Sequence, residues 1–127
     1  MSKRVIVPVD GSANSLEALK YALDLVKATG DRLLLLNVHG SSQVLGEAVL
    51  REAAEMAERE GVPFEKKVRV GNPVMEIHFE ASSPDVRCIV MGHRGSGNAQ
   101  SGNSLGSVSA GILQLCPCPL TLVPSRS

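Results

Sequence analysis

Short apolar runs alternate along this chain with longer amphipathic stretches, and no other feature restricts the fold as much. Val5-Ile6-Val7-Pro8-Val9 is closed by Asp10-Gly11-Ser12, a turn and helix-start signal. From Ser15 to Lys27, apolar side chains recur at Ala18, Leu19, Ala22, Leu25 and Val26, one face of a helix that Gly30-Asp31 stops. Leu33-Leu34-Leu35-Leu36-Asn37-Val38 is bracketed by Gly30 and Gly40; its length makes it a strand buried on both faces. A second helix is expected from Val44 to Glu60, with Leu45, Ala48, Val49, Ala53, Met56 and Ala57 inward, closed by Gly61 and Pro63.

Phe64 to Val70 sets Phe64, Lys66, Val68 and Val70 against Glu65, Lys67 and Arg69, the alternation of a half-exposed strand at a sheet edge. Asn72-Pro73 places a capping side chain before a proline at the first helical position. The short helix that follows runs through Val74, Ile77 and Ala81 and ends before Pro84. Cys88-Ile89-Val90-Met91 is a fourth strand, Gly106 to Leu115 a last helix and Pro119 to Val123 a fifth strand. Five strands alternating with four helices over short connections predict one α/β domain over residues 1–127, a three-layer α/β/α sandwich on a five-stranded parallel sheet. Winding that starts centrally gives the order 3-2-1-4-5, which leaves the amphipathic third strand at an edge.

Composition narrows the functions. Thirteen basic residues balance thirteen acidic ones, so the electrostatic footprint of a nucleic-acid or membrane-surface binder is absent. The chain is 43% apolar with no Trp, which makes the core aliphatic. No apolar stretch nears the roughly 20 residues of a membrane helix. The opening Met1-Ser2-Lys3-Arg4-Val5 lacks the pattern of a secretion signal. The three cysteines, Cys88, Cys116 and Cys118, sit in or beside apolar runs; a disulfide framework is not expected, and the cytoplasm is the expected location. Cys116-Pro117-Cys118 is read as a helix stop before a strand rather than a metal site, because no His or further Cys stands nearby in sequence.

Parallel sheets bind ligands beyond the C-terminal strand ends where the winding reverses, here between the loops after strands 1 and 4. Those loops are Pro8-Val9-Asp10-Gly11-Ser12 and Gly92-His93-Arg94-Gly95-Ser96-Gly97, the least ordinary in the chain. Glycines let backbone amides approach an anion, and Gly106-Ser107 opens the last helix, whose dipole favours negative charge. Arg94 is the only formal charge from Gly92 to Leu115; Ser107 and Ser109 add hydroxyls, and no acidic residue follows Asp85. Phosphate binding fits this composition, and so does a plain surface loop with Ser107 as an ordinary cap. Asp10 would repel phosphate, so its ligand partners are a ribose hydroxyl, an adenine amino group or a bridging divalent cation; capping the first helix is its other open role. The phosphate-loop signature fails because no Gly-Lys dipeptide exists, and Gly97-Asn98-Ala99-Gln100 misses the dinucleotide fingerprint.

Over its whole length the chain resembles the universal stress protein family. The resemblance rests on the strand ending Pro8-Val9-Asp10-Gly11-Ser12, the Gly71-Asn72-Pro73 turn, Ile89-Val90-Met91-Gly92 and the closing corner from Cys116 to Val123. Gly92-His93-Arg94-Gly95 and Gly106-Ser107 fit the glycine pattern of that family's ATP-binding branch, with a Ser96 to Leu105 spacer one residue longer. The resemblance implies a Rossmann-like, adenine nucleotide alpha hydrolase-like fold and ATP as ligand, with magnesium or manganese as an optional companion. It places Pro8, Asp10 and Val38 around adenine and ribose, Met91 and Gly92 beside them, and Arg94, Gly95, Gly106, Ser107, Val108 and Ser109 around the phosphates. It also implies a homodimer through the last strand, and Pro119 to Val123 is an apolar edge that a monomer would leave unprotected. The connection His39-Gly40-Ser41-Ser42-Gln43 is shorter than the family's usual segment, which implies a more open pocket.

Binding without efficient turnover is the first expectation. Hydrolysis needs a positioned base and usually a well-held metal. His39, His78 and His93 are scattered singly, and Asp10 is the one carboxylate expected near the crevice. His93 is read as a solvent-facing loop residue and His78 as a helix-surface residue. A nucleotide-independent dimeric regulatory module and a slow ATPase are the alternatives.

Overall fold

The computed structural model describes residues 2–94 and 106–125. The elements are β1 (Arg4–Pro8), α1 (Ala13–Thr29), β2 (Arg32–His39), α2 (Gln43–Arg59), β3 (Phe64–Val70), α3 (Pro73–Ala81), β4 (Val86–Gly92), α4 (Ser107–Leu115) and β5 (Leu120–Val123). The strands pair in parallel in the order β3-β2-β1-β4-β5, as the sequence pattern requires.

Three helices begin on a side-chain cap. Ser12 accepts from the Ser15 amide at 3.1 Å, Ser42 from Leu45 at 3.2 Å and Asn72 from Met75 at 3.1 Å, each satisfying an amide that has no partner within its helix. Ser12, not Asp10, therefore caps α1, and the helix begins at Ala13, ahead of the expected Ser15. Gly11 supplies the positive φ of 87° that turns the chain from β1 into α1, a conformation L side chains resist.

Successive strand residues face opposite sides, so the apolar runs divide between two cores. Val5, Val7, Leu33, Leu35, Cys88 and Val90 pack under α1 and α2. Ile6, Leu34, Leu36, Ile89 and Met91 pack under α3 and α4. Leu33 to Leu36 are fully buried, which contributes about 1.5–3 kcal/mol per side chain before entropy is counted.

The inward face of α2 differs from the expected one. Gly46, Leu50, Ala53, Ala54 and Ala57 are buried, whereas Leu45 is 56% exposed and Ala48 also faces outward. Periodicity leaves the helix free to rotate; close approach at Gly46 decides. A Cβ there would lie 2.6 Å from both Asn37 Oδ1 and Val68 Cγ1, so only glycine lets α2 sit this low on the sheet. Leu23 likewise turns inward on α1, while Leu25 is only partly buried.

Strand β3 is an edge, and its charged face is paired rather than bare. Lys67 and Arg69 reach the buried Glu80 of α3 at 3.0 and 2.8 Å, and Arg69 also pairs with Glu76 at 2.5 Å and lies 4.6 Å over the Phe79 ring. Phe64 and Val68 pack instead against the α1–α2 core. At the opposite end of the sheet from the strand C-termini, buried Asp31 accepts from the Lys3 amide at 2.9 Å and pairs with Arg87.

Candidate functional site

The sheet order sets β1 beside β4, and the described residues that leave their C-terminal ends lie side by side, the Arg94 amide reaching Asn14 at the start of α1 at 3.0 Å. Pro8 and Asp10 stand at the end of β1, Val38 near the end of β2, and Met91 and Gly92 at the end of β4. Val38, Met91 and Val108 belong to a single apolar cluster on the α3–α4 side, and alternation puts Pro8 on the same face as Ile6. The sequence-derived residues thus form an apolar floor and a polar rim.

Hydrogen bonds fix the rim. Ser109 Oγ donates to the Gly92 carbonyl at 2.8 Å, and the Gly106 amide donates to the His93 carbonyl at 2.8 Å. These two bonds hold the first turn of α4 against the end of β4. Ser109 is buried, so its hydroxyl serves as a strut between the two segments, while Ser107 is exposed. Gly95 lies outside the described residues, as does the Ser96 to Leu105 spacer.

The N-cap of α4 is Gly106, which carries no oxygen to offer its helix. Unlike α1, α2 and α3, this helix opens without a side-chain acceptor of its own, and no acidic residue occupies its first turn. The dipole of α4 favours an anion at this end. Asp10 is exposed after β1; its Oδ1 accepts from the Ser12 amide at 2.9 Å and shapes the β1–α1 turn. Among the described residues no group of three His, Cys, Asp or Glu could hold a metal ion. A magnesium or manganese ion at Asp10 would therefore draw its other ligands from phosphate oxygens and water.

Two asparagines that sequence reasoning passed over organise the site. Asn14 is buried at the start of α1; its Oδ1 accepts from the Arg94 amide at 3.0 Å, and its Nδ2 donates to the Val123 carbonyl and to Glu17, each at 3.1 Å. Gly92 is needed for this contact, because a Cβ at that position would lie 2.5 Å from Asn14 Oδ1. Asn37, also buried, donates to the Val9 carbonyl at 2.8 Å and fixes the strand end before Asp10. Asn37 carried a sequence signal, a polar residue inside the apolar run Leu33 to Val38, since a buried amide needs partners; Asn14, in the polar start of α1, carried none.

His93 is half-buried rather than solvent-facing. Its Nδ1 accepts from the Ser125 amide at 3.2 Å, and its own amide donates to the Val123 carbonyl at 3.1 Å. His39 Nδ1 accepts from the Ser41 and Ser42 amides at 3.1 and 2.9 Å, closing the short connection into α2. Both imidazoles thus brace loops. An open groove of about 410 Å³ elsewhere is lined by Gln43, Glu47, Leu50, Lys66, Lys67 and Val68, and contains none of the site residues.

A family model described as the universal stress protein family matches residues 1–124. The chain is 31% identical to universal stress protein Sll1654 of Synechocystis, over 98% of this chain and 87% of that protein. It is 30% identical to universal stress protein YxiE of Bacillus subtilis, over 97% of this chain and 99% of that protein. Among solved structures, a universal stress protein in complex with cAMP superposes with a TM-score of 0.81 at 27% identity, covering 97% of both chains. Sheet order, strand-end loops and these likenesses agree: the chain belongs to the universal stress protein family.

Proposed function

We propose that this chain binds an adenine nucleotide, ATP foremost, between the β1 and β4 loops and acts as a stress-response regulatory protein without efficient turnover. One observation carries the reading. The single described helix with a glycine N-cap is also the one pinned by Ser109 and Gly106 against the glycine loop after β4. A polyphosphate at that mouth would meet main-chain amides, the helix dipole and Arg94. Pro8, Val38, Met91 and Val108 offer an apolar floor of the kind an adenine ring takes, with Asp10 in reach of a ribose hydroxyl or amino group. The cAMP complex of a relative with 27% identity supports adenine as the base.

Turnover lacks support from the imidazoles, because His39 and His93 accept loop amides through Nδ1. Asp10, exposed after β1, is the carboxylate this reading assigns to the nucleotide, while Glu17 accepts from Asn14 Nδ2 at 3.1 Å. A homodimer through β5 belongs to the same reading: among the described residues β5 pairs with β4 on one side only, and its residues are half-buried.

Mass spectrometry of material released by denaturing the purified protein tests the ligand, followed by titration with ATP, ADP and AMP. Saturable ATP binding at one site per chain is expected. Failure of all three nucleotides to bind would leave the nucleotide-independent module as the reading. Phosphate release that Asp10→Ala abolishes would establish the slow ATPase instead.

A further inference from the structure

Cys116 and Cys118 occupy the corner between α4 and β5, with their sulfurs 3.9 Å apart. Both are half-buried free thiols, and the Cys116 thiol donates to the Cys118 carbonyl at 2.9 Å. The corner is held from both sides. Cys116 ends α4 in extended backbone, Pro117 and Pro119 each fix a φ angle, and the Pro119 carbonyl accepts from the Ile89 amide of β4 at 2.9 Å. Bonded sulfurs lie about 2 Å apart, so each would move by about 1 Å, within the reach of side-chain rotation. Cys88 offers no competing partner. It is 7% exposed and packs in the core under α1 and α2, whereas Cys116 and Cys118 pack against the core under α3 and α4.

We propose that Cys116 and Cys118 form a reversible dithiol–disulfide site, independent of nucleotide. The oxidant is a low-molecular-weight disulfide such as oxidised glutathione. The Cys116 thiol loses its proton to solvent and its sulfur attacks one glutathione sulfur, breaking that S–S bond and expelling one glutathione thiolate. The Cys118 sulfur, giving up its proton in turn, attacks the Cys116 sulfur of the mixed disulfide and expels the second glutathione. Both thiolates are reprotonated, so two protein thiols are oxidised and one glutathione disulfide is reduced to two thiols. The order follows from the surroundings: burial, reinforced by Cys116, pushes the Cys118 thiol up to about 12, which keeps it protonated until its neighbour has reacted. Ring closure replaces the Cys116 thiol's bond to the Cys118 carbonyl and tightens the link between the helix that opens on the nucleotide mouth and the edge strand.

The full folded chain is equilibrated in glutathione buffers from reducing to oxidising, acid-quenched, alkylated under denaturing conditions and mapped by peptide mass. At the oxidising end the peptide holding both cysteines should lose about 2 Da and take no alkyl group, and dithiothreitol should restore both thiols. Cys88 should be alkylated throughout. Cys118→Ser should stop at a glutathione adduct on Cys116. Two alkylated cysteines at the oxidising end, in a chain with native circular dichroism, would overturn the proposal; so would pairing through Cys88 or between chains. The unmodified chain's peptide map decides the matter even if the serine variant does not fold.

Discussion

Replacing Gly106 by Asp separates a helix cap from a ligand site, because stability and affinity should move in opposite directions. Gly106 has φ −66° and ψ 158°, a backbone any residue adopts. An aspartate there can accept first-turn amides as Ser12, Ser42 and Asn72 do for the other helices. The cap contributes a few tenths of a kcal/mol over glycine, and the charge at the positive end of the dipole adds about 0.3–1 kcal/mol. The variant should thus be about 0.5–1 kcal/mol more stable. The same carboxylate occupies the amides that a phosphate needs. Losing one charge-assisted hydrogen bond costs about 1.5–3 kcal/mol, and a like charge about 4 Å away adds up to about 4 kcal/mol at an effective dielectric near 20. The first contribution alone weakens binding roughly ten- to a hundredfold. Urea denaturation and ATP titration calorimetry on one preparation read both quantities. Gly106→Ser, which caps without a full charge, should lose less affinity. Unchanged ATP affinity in folded Gly106→Asp would refute the placement of phosphates at α4.

Gly92→Ala should destabilise by about 1–3 kcal/mol, because its Cβ would sit 2.5 Å from Asn14 Oδ1 and 3.0 Å from the Asn14 carbonyl oxygen; an unshifted urea midpoint would contradict this. Gly46→Ala sets two effects against each other. Helix propensity favours alanine by about 1 kcal/mol, but overpacking against Asn37 and Val68 costs about 1–3 kcal/mol, so the midpoint should fall. Asp31 governs an acid limb: burial raises its carboxyl, yet hydrogen bonds from Arg87 and the Lys3 amide outweigh that and hold it at about 2. The unfolded chain, near 3.8, takes up the proton first as pH falls. The stabilisation, about 2 kcal/mol, is therefore complete above pH ~4 and lost as pH drops through about 2. Asp31→Asn should flatten urea stability across that window.

The unit structure was legible because its signals are local. Asn72-Pro73 begins α3 and Gly30, at φ 78°, closes α1, where a few neighbouring residues settle the conformation. The edge position of β3 followed from its own alternation, and the adjacency of β1 and β4 followed from central winding. Asp10 stands exposed after β1 with its Oδ1 on the Ser12 amide, and the cap of α1 went to Ser12 two residues on, a choice between neighbours with the same chemistry.

Sequence by itself determined the element order, the two-faced burial of β1 and β2 and the edge position of β3, since each depends on spacing within one run of chain. Tertiary structure alone decided the rotation of α2, which turns on a contact between Gly46 and Val68 of a different element. It also decided what Asn14 does: that side chain joins Arg94 and Val123, far along the chain, and so ties the segment leaving β4 to the edge strand. Hydrogen-bond partners so distant in sequence leave no periodic trace; only packing brings them within 3.1 Å.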